Sequence, residues 1–162
     1  MNLKYLKEPF VIILIGPPLV GKSTWIKKNF PEGVRVICMD QIIMDLDGGE
    51  DYNIAYKAVN QKELKAEFHR QMIEAAKNDE NVIVDMTHMV RKRRMHNLSY
   101  FPKHYYKLGV IFPIPSDEEI ERRNVVRTKE EKKHIGMDVF KMMVGQYQPV
   151  SKEEGFNKII SI

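Results

Sequence analysis

Strand-like apolar runs and helically spaced apolar runs alternate along the chain. The continuous run lies at residues 9–15, and shorter apolar or β-branched runs, each with one or two polar residues, lie at 34–39, 81–86 and 107–112. Apolarity without alternation predicts strands buried on both faces, as in a parallel sheet. Between residues 54 and 77, Ala55, Ala58, Val59, Leu64, Phe68, Met72, Ile73 and Ala76 recur at the spacing of one or two amphipathic helices. Further helices are predicted from Thr24, from Gln41, from Arg91 towards Tyr100, and over 137–147, where Val139, Phe140, Met143 and Val144 share a face. Ser116-Asp117-Glu118-Glu119 reads as a capping box opening another helix, and residues 156–162 as a closing strand. Turn-forming residues fill 29–33 and 48–51. The pattern predicts one α/β domain over residues 1–162, with a parallel sheet of about five strands flanked by helices.

Composition narrows this picture only a little. A length of 162 residues suits one domain with a normal core. The balance of 26 Lys+Arg against 22 Asp+Glu is a mild basic excess, suited to an anionic ligand and too small to establish nucleic-acid binding. The single cysteine, Cys38, excludes an internal disulfide or a cysteine-rich zinc site and fits a reducing compartment. Beside Val36 and Ile37 it reads as a strand thiol. No apolar stretch approaches the roughly 18 residues of a membrane span, and Met1-Asn2-Leu3-Lys4 leads into a strand rather than a signal segment. The expectation is a soluble intracellular protein, cytoplasmic or nuclear, without membrane contact.

Candidate chemistry begins at Gly16-Pro17-Pro18-Leu19-Val20-Gly21-Lys22-Ser23-Thr24, which matches G-x-x-x-x-G-K-[ST] between a strand and a helix. Glycines let backbone N–H groups turn inward around phosphate, the lysine reaches the β/γ-phosphates, and a hydroxyl holds Mg²⁺. Gly16, Gly21, Lys22, Ser23 and Thr24 are therefore the expected nucleotide-binding residues, with Ser23 the metal ligand. Ligands of open parallel sheets bind beyond the carboxyl ends of the strands. Asp40 follows the second strand and should share a cleft with Lys22; it is also placed to cap the next helix, and the two roles are compatible. Asp85, followed by Thr87 and His88, ends a third strand as a metal-facing or site-organising carboxylate would.

Two clusters of cations remain. Arg91-Lys92-Arg93-Arg94 points in several directions, so at most two of the four can face one ligand; a solvated or salt-bridged face is as good a reading as a nucleic-acid contact. Arg122, Arg123 and Arg127 precede the polar stretch 128–133, which has the composition of a lid. Arg127, with Arg123 one turn earlier, is placed to neutralise charge developing on a transferred phosphoryl group.

In the order of these parts, with the tail Tyr147, Pro149 and Glu154-Gly155-Phe156, the chain resembles the kinase domain of the polynucleotide 5′-hydroxyl kinases of phages and animals. The resemblance covers nearly the whole chain and implies a P-loop kinase fold with a helical lid. It also implies ATP-dependent phosphorylation of a 5′-OH end of DNA or RNA, a step of nucleic acid repair, with ATP and Mg²⁺. Carried over by position, Asp40 would be the general base, Lys22 and Arg127 the charge-stabilising catalytic groups, and Asp85, Thr87 and His88 the acceptor side. Two positions depart from the family pattern. Ile43 stands where an arginine grips the acceptor phosphate, and His88 where asparagine is favoured. The phosphatase motif Asp-x-Asp-Gly-Thr is not found in the sequence, so repair of 3′-phosphate ends is not expected. The alternatives are a kinase of small-molecule or sugar-nucleotide hydroxyls, and a non-catalytic nucleotide- or RNA-binding module.

Overall fold

The computed structural model describes residues 6–30, 32–49 and 51–162. The expected strand entry at residues 1–4 lies outside them. Strand β1 (Phe10–Ile15) is followed by helix α1 (Lys22–Asn29), β2 (Arg35–Cys38), α2 (Met39–Asp47), α3 (Tyr52–Ala58), α4 (Gln61–Lys77), β3 (Val82–Asp85) and α5 (Arg91–Leu98). Then come β4 (Tyr106–Ile111), α6 (Asp117–Glu131), α7 (Met137–Gly145), a 3₁₀ turn (Lys152–Glu154) and β5 (Lys158–Ser161). The five strands form one sheet in the order β2-β3-β1-β4-β5, every pairing parallel.

β1 is the central strand, and all six of its side chains are buried, as its unbroken apolar sequence predicts. Its odd positions, Val11, Ile13 and Ile15, face a core shared with Ile42 and Ile43 of α2, Leu64, Phe68 and Met72 of α4, and Leu98 of α5. Its even positions, Phe10, Ile12 and Leu14, face Trp25 and Ile26 of α1. Each such side chain contributes roughly 1.5–3 kcal/mol relative to exposure. Alignment of Ile13 with Val84 and of Cys38 with Asp85 brings the carboxyl ends of β1, β2 and β3 side by side. The site lies above that edge.

Several local expectations shift. The run at 54–77 divides into α3 and α4, because Asn60 turns its side chain onto the amides of Lys62 and Glu63 and starts a new helix. α2 begins at Met39, so Asp40 lies in a first helical turn rather than on the strand. Ser116 caps α6 by accepting from Glu119 N–H at 3.4 Å, but the Glu119 carboxylate turns to Arg122 and Arg123 and leaves the box half made. The reciprocal box forms instead between Ser151 and Glu154. Residues 128–131 of the expected lid stretch extend α6, which ends at Lys132 in left-handed backbone. The free thiol of Cys38 ends β2, and burial pushes its pKa up. Among the described residues no helix is long and apolar enough to cross a membrane.

Candidate active site

The loop after β1 is shaped by contact on both sides. Gly16 donates its N–H to the Thr87 carbonyl at 2.9 Å, linking the ends of β1 and β3. A Cβ at Gly16 would stand 3.0 Å from Phe112 Cβ and 3.1 Å from Val20, so a side chain here would push the loop off the sheet. Leu19 (φ 67°) and Gly21 (φ 97°) both adopt left-handed backbone, a conformation costing a non-glycine residue roughly 1–2 kcal/mol. Arg123 holds that strained turn by donating to the Leu19 carbonyl at 2.8 Å, while its Nε pairs with Glu119 at 2.6 Å. The arginine predicted to face the nucleotide is thus tied directly to the loop.

Lys22 caps the loop with its ammonium, donating to the carbonyls of Gly16 at 2.9 Å and Pro17 at 2.8 Å. Burial pushes its pKa down, and the nearby carboxylates of Asp85 and then Asp40 oppose the shift. Asp85 shows the mirror image: burial raises its pKa, with Lys22 the main opposing charge. Lys22 and Asp85 are therefore poorly solvated together, and the more exposed Asp40 carboxylate adds to the charge that Lys22 feels. The N-terminus of α1 has no side-chain cap and no acidic residue in its first turn, and Ser23 and Thr24 are exposed there. Unclaimed helix amides, a lysine and two hydroxyls fit a Mg²⁺-bound triphosphate.

Opposite the loop, the Asp40 carboxylate has three neighbours. Oδ1 accepts from the Tyr52 hydroxyl at 2.9 Å; Oδ2 lies 3.5 Å from both Arg127 NH2 and Lys133 Nζ. Lys133 Nζ also stands 4.6 Å from the centre of the Tyr52 ring, within cation–π range. The Tyr52 pKa is raised, first by burial and then by the charge of Asp40, which keeps the hydroxyl a donor. Arg127 reaches Asp40 from α6, paired on its other side with Glu131 at 3.3 Å. Beside the loop, Ile15, Met89, Ile114 and Tyr147 help wall an apolar cleft of about 220 Å³.

His88 needs correction. The sequence reading puts it on the acceptor side, but its ring is 1 % exposed. Its Nδ1 meets the Leu14 carbonyl at 2.8 Å and its Nε2 meets the Asn97 amide at 2.8 Å. A carbonyl only accepts, so Nδ1 carries the proton and Nε2 accepts from Asn97 Nδ2. Burial drives the His88 pKa down to about 3. This ring is a neutral strut between β1 and α5 and presents nothing to an acceptor. Thr87 contributes its carbonyl to Gly16, and its side chain is half-buried.

Three side chains gain a partner in the fold that their local sequence does not single out. Tyr52 and Lys133 lie in polar stretches without local pattern. Arg94 is hidden inside a cationic run, yet it is fully buried against Glu154 at 2.6 Å. The tail residues Glu154-Gly155-Phe156 carry that signal: Glu154 receives Arg94, and the Phe156 ring packs where Gly109 has no side chain.

A parallel sheet ordered 2-3-1-4-5, a glycine–lysine–serine loop opening α1, and carboxylates beyond adjacent strands define a P-loop kinase-type domain. The chain belongs to the AAA domain family, whose sequence model matches residues 11–150. Among solved structures it is similar to a chain of the Pnkp1/Rnl/Hen1 RNA repair complex, at TM-score 0.70 and 19% identity over 86% of this chain. It spans 44% of that chain, less than half its length. It is also similar to Chaetomium thermophilum Kti12 in complex with ADP-AlF3, at TM-score 0.63 and 11% identity, covering 94% of this chain and 88% of that one. A fungal RNA kinase matches at TM-score 0.56 and 17% identity, covering 94% of this chain and 73% of that one. No curated protein sequence matches the chain.

Proposed function

We propose that the protein transfers the γ-phosphoryl group of ATP to the 5′-hydroxyl end of a DNA or RNA strand. The observation that carries this reading is the placement of Asp40 across the cleft from the P-loop, with Oδ2 3.5 Å from Arg127 of α6. A carboxylate near a phosphate loop, with an arginine of α6 on it, suits transfer to a hydroxyl.

In the reaction, the acceptor oxygen attacks the γ-phosphorus, the bond to the β,γ-bridging oxygen breaks, and ADP leaves. Asp40 accepts the proton of the attacking hydroxyl. Lys22 swings from the Gly16 and Pro17 carbonyls to the phosphates, and Arg127 stabilises the charge on the transferred group. Arg123 keeps the Leu19 turn in the shape that directs its amides inward. Ser23 would hold Mg²⁺ with its hydroxyl, and the metal would neutralise charge on the phosphate oxygens. The apolar cleft by Tyr147 suits a planar base. The likenesses to an RNA repair complex and an RNA kinase support a polynucleotide acceptor.

A second reading, a kinase for a small hydroxylated metabolite, is favoured by Ile43. It lies one turn beyond Asp40 and is 1 % exposed, so α2 offers no cation to a nucleic-acid phosphate there. Incubation with Mg²⁺, γ-labelled ATP, 5′-OH DNA and RNA oligonucleotides and a metabolite panel tests both readings. Label on an oligonucleotide is expected. Label on a metabolite alone selects the second reading, and bound ATP without transfer makes the protein a non-catalytic module.

A further inference from the structure

Lys133 lies 93 residues from Asp40 in sequence, yet its ammonium stands 3.5 Å from the Asp40 carboxylate. Its neighbours hold it there. Asn53 of α3 donates to the Lys132 carbonyl at 2.9 Å. Asn124, 5 % exposed, grips Ile135 in both directions, donating to its carbonyl at 2.7 Å and accepting from its N–H at 3.2 Å. The turn after α6 is therefore pinned on two sides, and Lys133 is the residue of that turn directed inward, its side chain 20% exposed.

The cations around Asp40 divide by what else they hold. Lys22 is bound to the loop carbonyls. Arg127, one turn of α6 beyond the loop-gripping Arg123, is shared with Glu131 at 3.3 Å. Lys133 reaches the same Asp40 oxygen, Oδ2, from the turn after α6 and rests over the Tyr52 ring of α3. An ammonium carries three N–H donors, and Asp40 and the Tyr52 ring engage at most two of them, so one is left for a second anion. An acceptor with its 5′-oxygen at Asp40 carries its next phosphate one nucleoside away, and Ile43 supplies no charge to meet it.

We propose that Lys133 is the acceptor-side anion contact, binding the phosphate that follows the 5′-terminal nucleoside, with the Tyr52 ring as its platform. This rests on the kinase reading for the identity of the acceptor, but the contact itself is a binding property measurable without turnover.

The test is calorimetric titration of the full chain, saturated with a non-hydrolysable ATP analogue, with adenosine and with adenosine 3′-monophosphate. The wild type should prefer the monophosphate by about tenfold or more, the size of one hydrogen bond to a charged group. Lys133→Ala should reduce that preference to about twofold or less, and Lys133→Arg should keep most of it. Tyr52→Phe, which retains the ring and loses the hydroxyl, should also keep it. Affinity for the ATP analogue should be the same in Lys133→Ala as in the wild type. A preference that survives Lys133→Ala, a wild type without preference, or a loss of analogue affinity in Lys133→Ala would each overturn the assignment. Phosphate preference without transfer of label would instead overturn the kinase reading and leave Lys133 as the anion contact.

Discussion

Arg94 meets both oxygens of Glu154, Nε to Oε2 at 2.6 Å and NH2 to Oε1 at 2.8 Å, with neither side chain exposed to solvent. The same guanidinium donates to the carbonyls of His88, Met89 and Pro149 at 3.0–3.1 Å. One side chain thus ties the segment beyond β3, which carries Thr87 against the P-loop, to the segment that leads into β5.

Breaking this pair should be costly. Removing one partner of a buried ion pair leaves the other charge uncompensated, at about 3–5 kcal/mol. Glu154→Gln is therefore expected to lower the unfolding free energy by about that amount, measured by urea denaturation at neutral pH. A loss below about 1 kcal/mol would show that the Arg94 charge finds water or another partner.

The Asp40 assignment gives a different signature. Asp40→Asn keeps the shape of the side chain and can still accept from Tyr52, but it cannot take the proton of an attacking hydroxyl. Phosphoryl transfer to a 5′-OH oligonucleotide should fall by about 10²–10⁴-fold, the usual contribution of a positioned base. ATP affinity, measured by equilibrium binding, should change little, because Asp40 is not part of the loop that holds the phosphates. Turnover near the wild-type rate in this variant would remove Asp40 from the mechanism.

His88 predicts an acid-side loss of stability. Its pKa is about 3 in the folded protein against an ordinary value of 6.5. Above pH 6.5 the ring is neutral folded or unfolded and contributes no pH dependence. As pH falls from 6.5 towards 3 the unfolded chain takes up a proton that the fold excludes. Stability should then decline by up to about 1.4 kcal/mol per pH unit from this group. Urea denaturation of the wild type and His88→Asn from pH 7 to pH 4 should show a slope shallower in the variant by about one proton. Asparagine tolerates the left-handed backbone at this position (φ 47°). Equal slopes would mean that the buried ring protonates without resistance.

Much of the donor side is legible along the chain because it is local. The loop motif, the apolar run of β1 before it and the helix after it are contiguous, and their chemistry depends on backbone conformation and on residue types within nine positions. Strand-end carboxylates are nearly as legible, since a parallel sheet places every strand's carboxyl end on one edge. That rule places Asp85 and the turn that opens α2 on one edge, near enough for Lys22 to feel the charge of both Asp85 and Asp40.

Side-chain partners at long range are not carried by such patterns. Arg94 and Arg93 are neighbours in one cationic run, yet packing of α5 against the tail fully buries one and leaves the other exposed. His88 reads as a polar residue near the site until the sheet closes over it. Tyr52 and Lys133 meet Asp40 only because α3 and the turn after α6 converge on it. The sequence by itself determined the sheet, the glycine–lysine–serine loop and the edge where the carboxylates gather, since hydrophobic periodicity and loop conformation are short-range. Only the tertiary structure decided which charges are buried, which are paired and which face the cleft, because desolvation and Coulomb energy depend on distances between residues far apart in the chain.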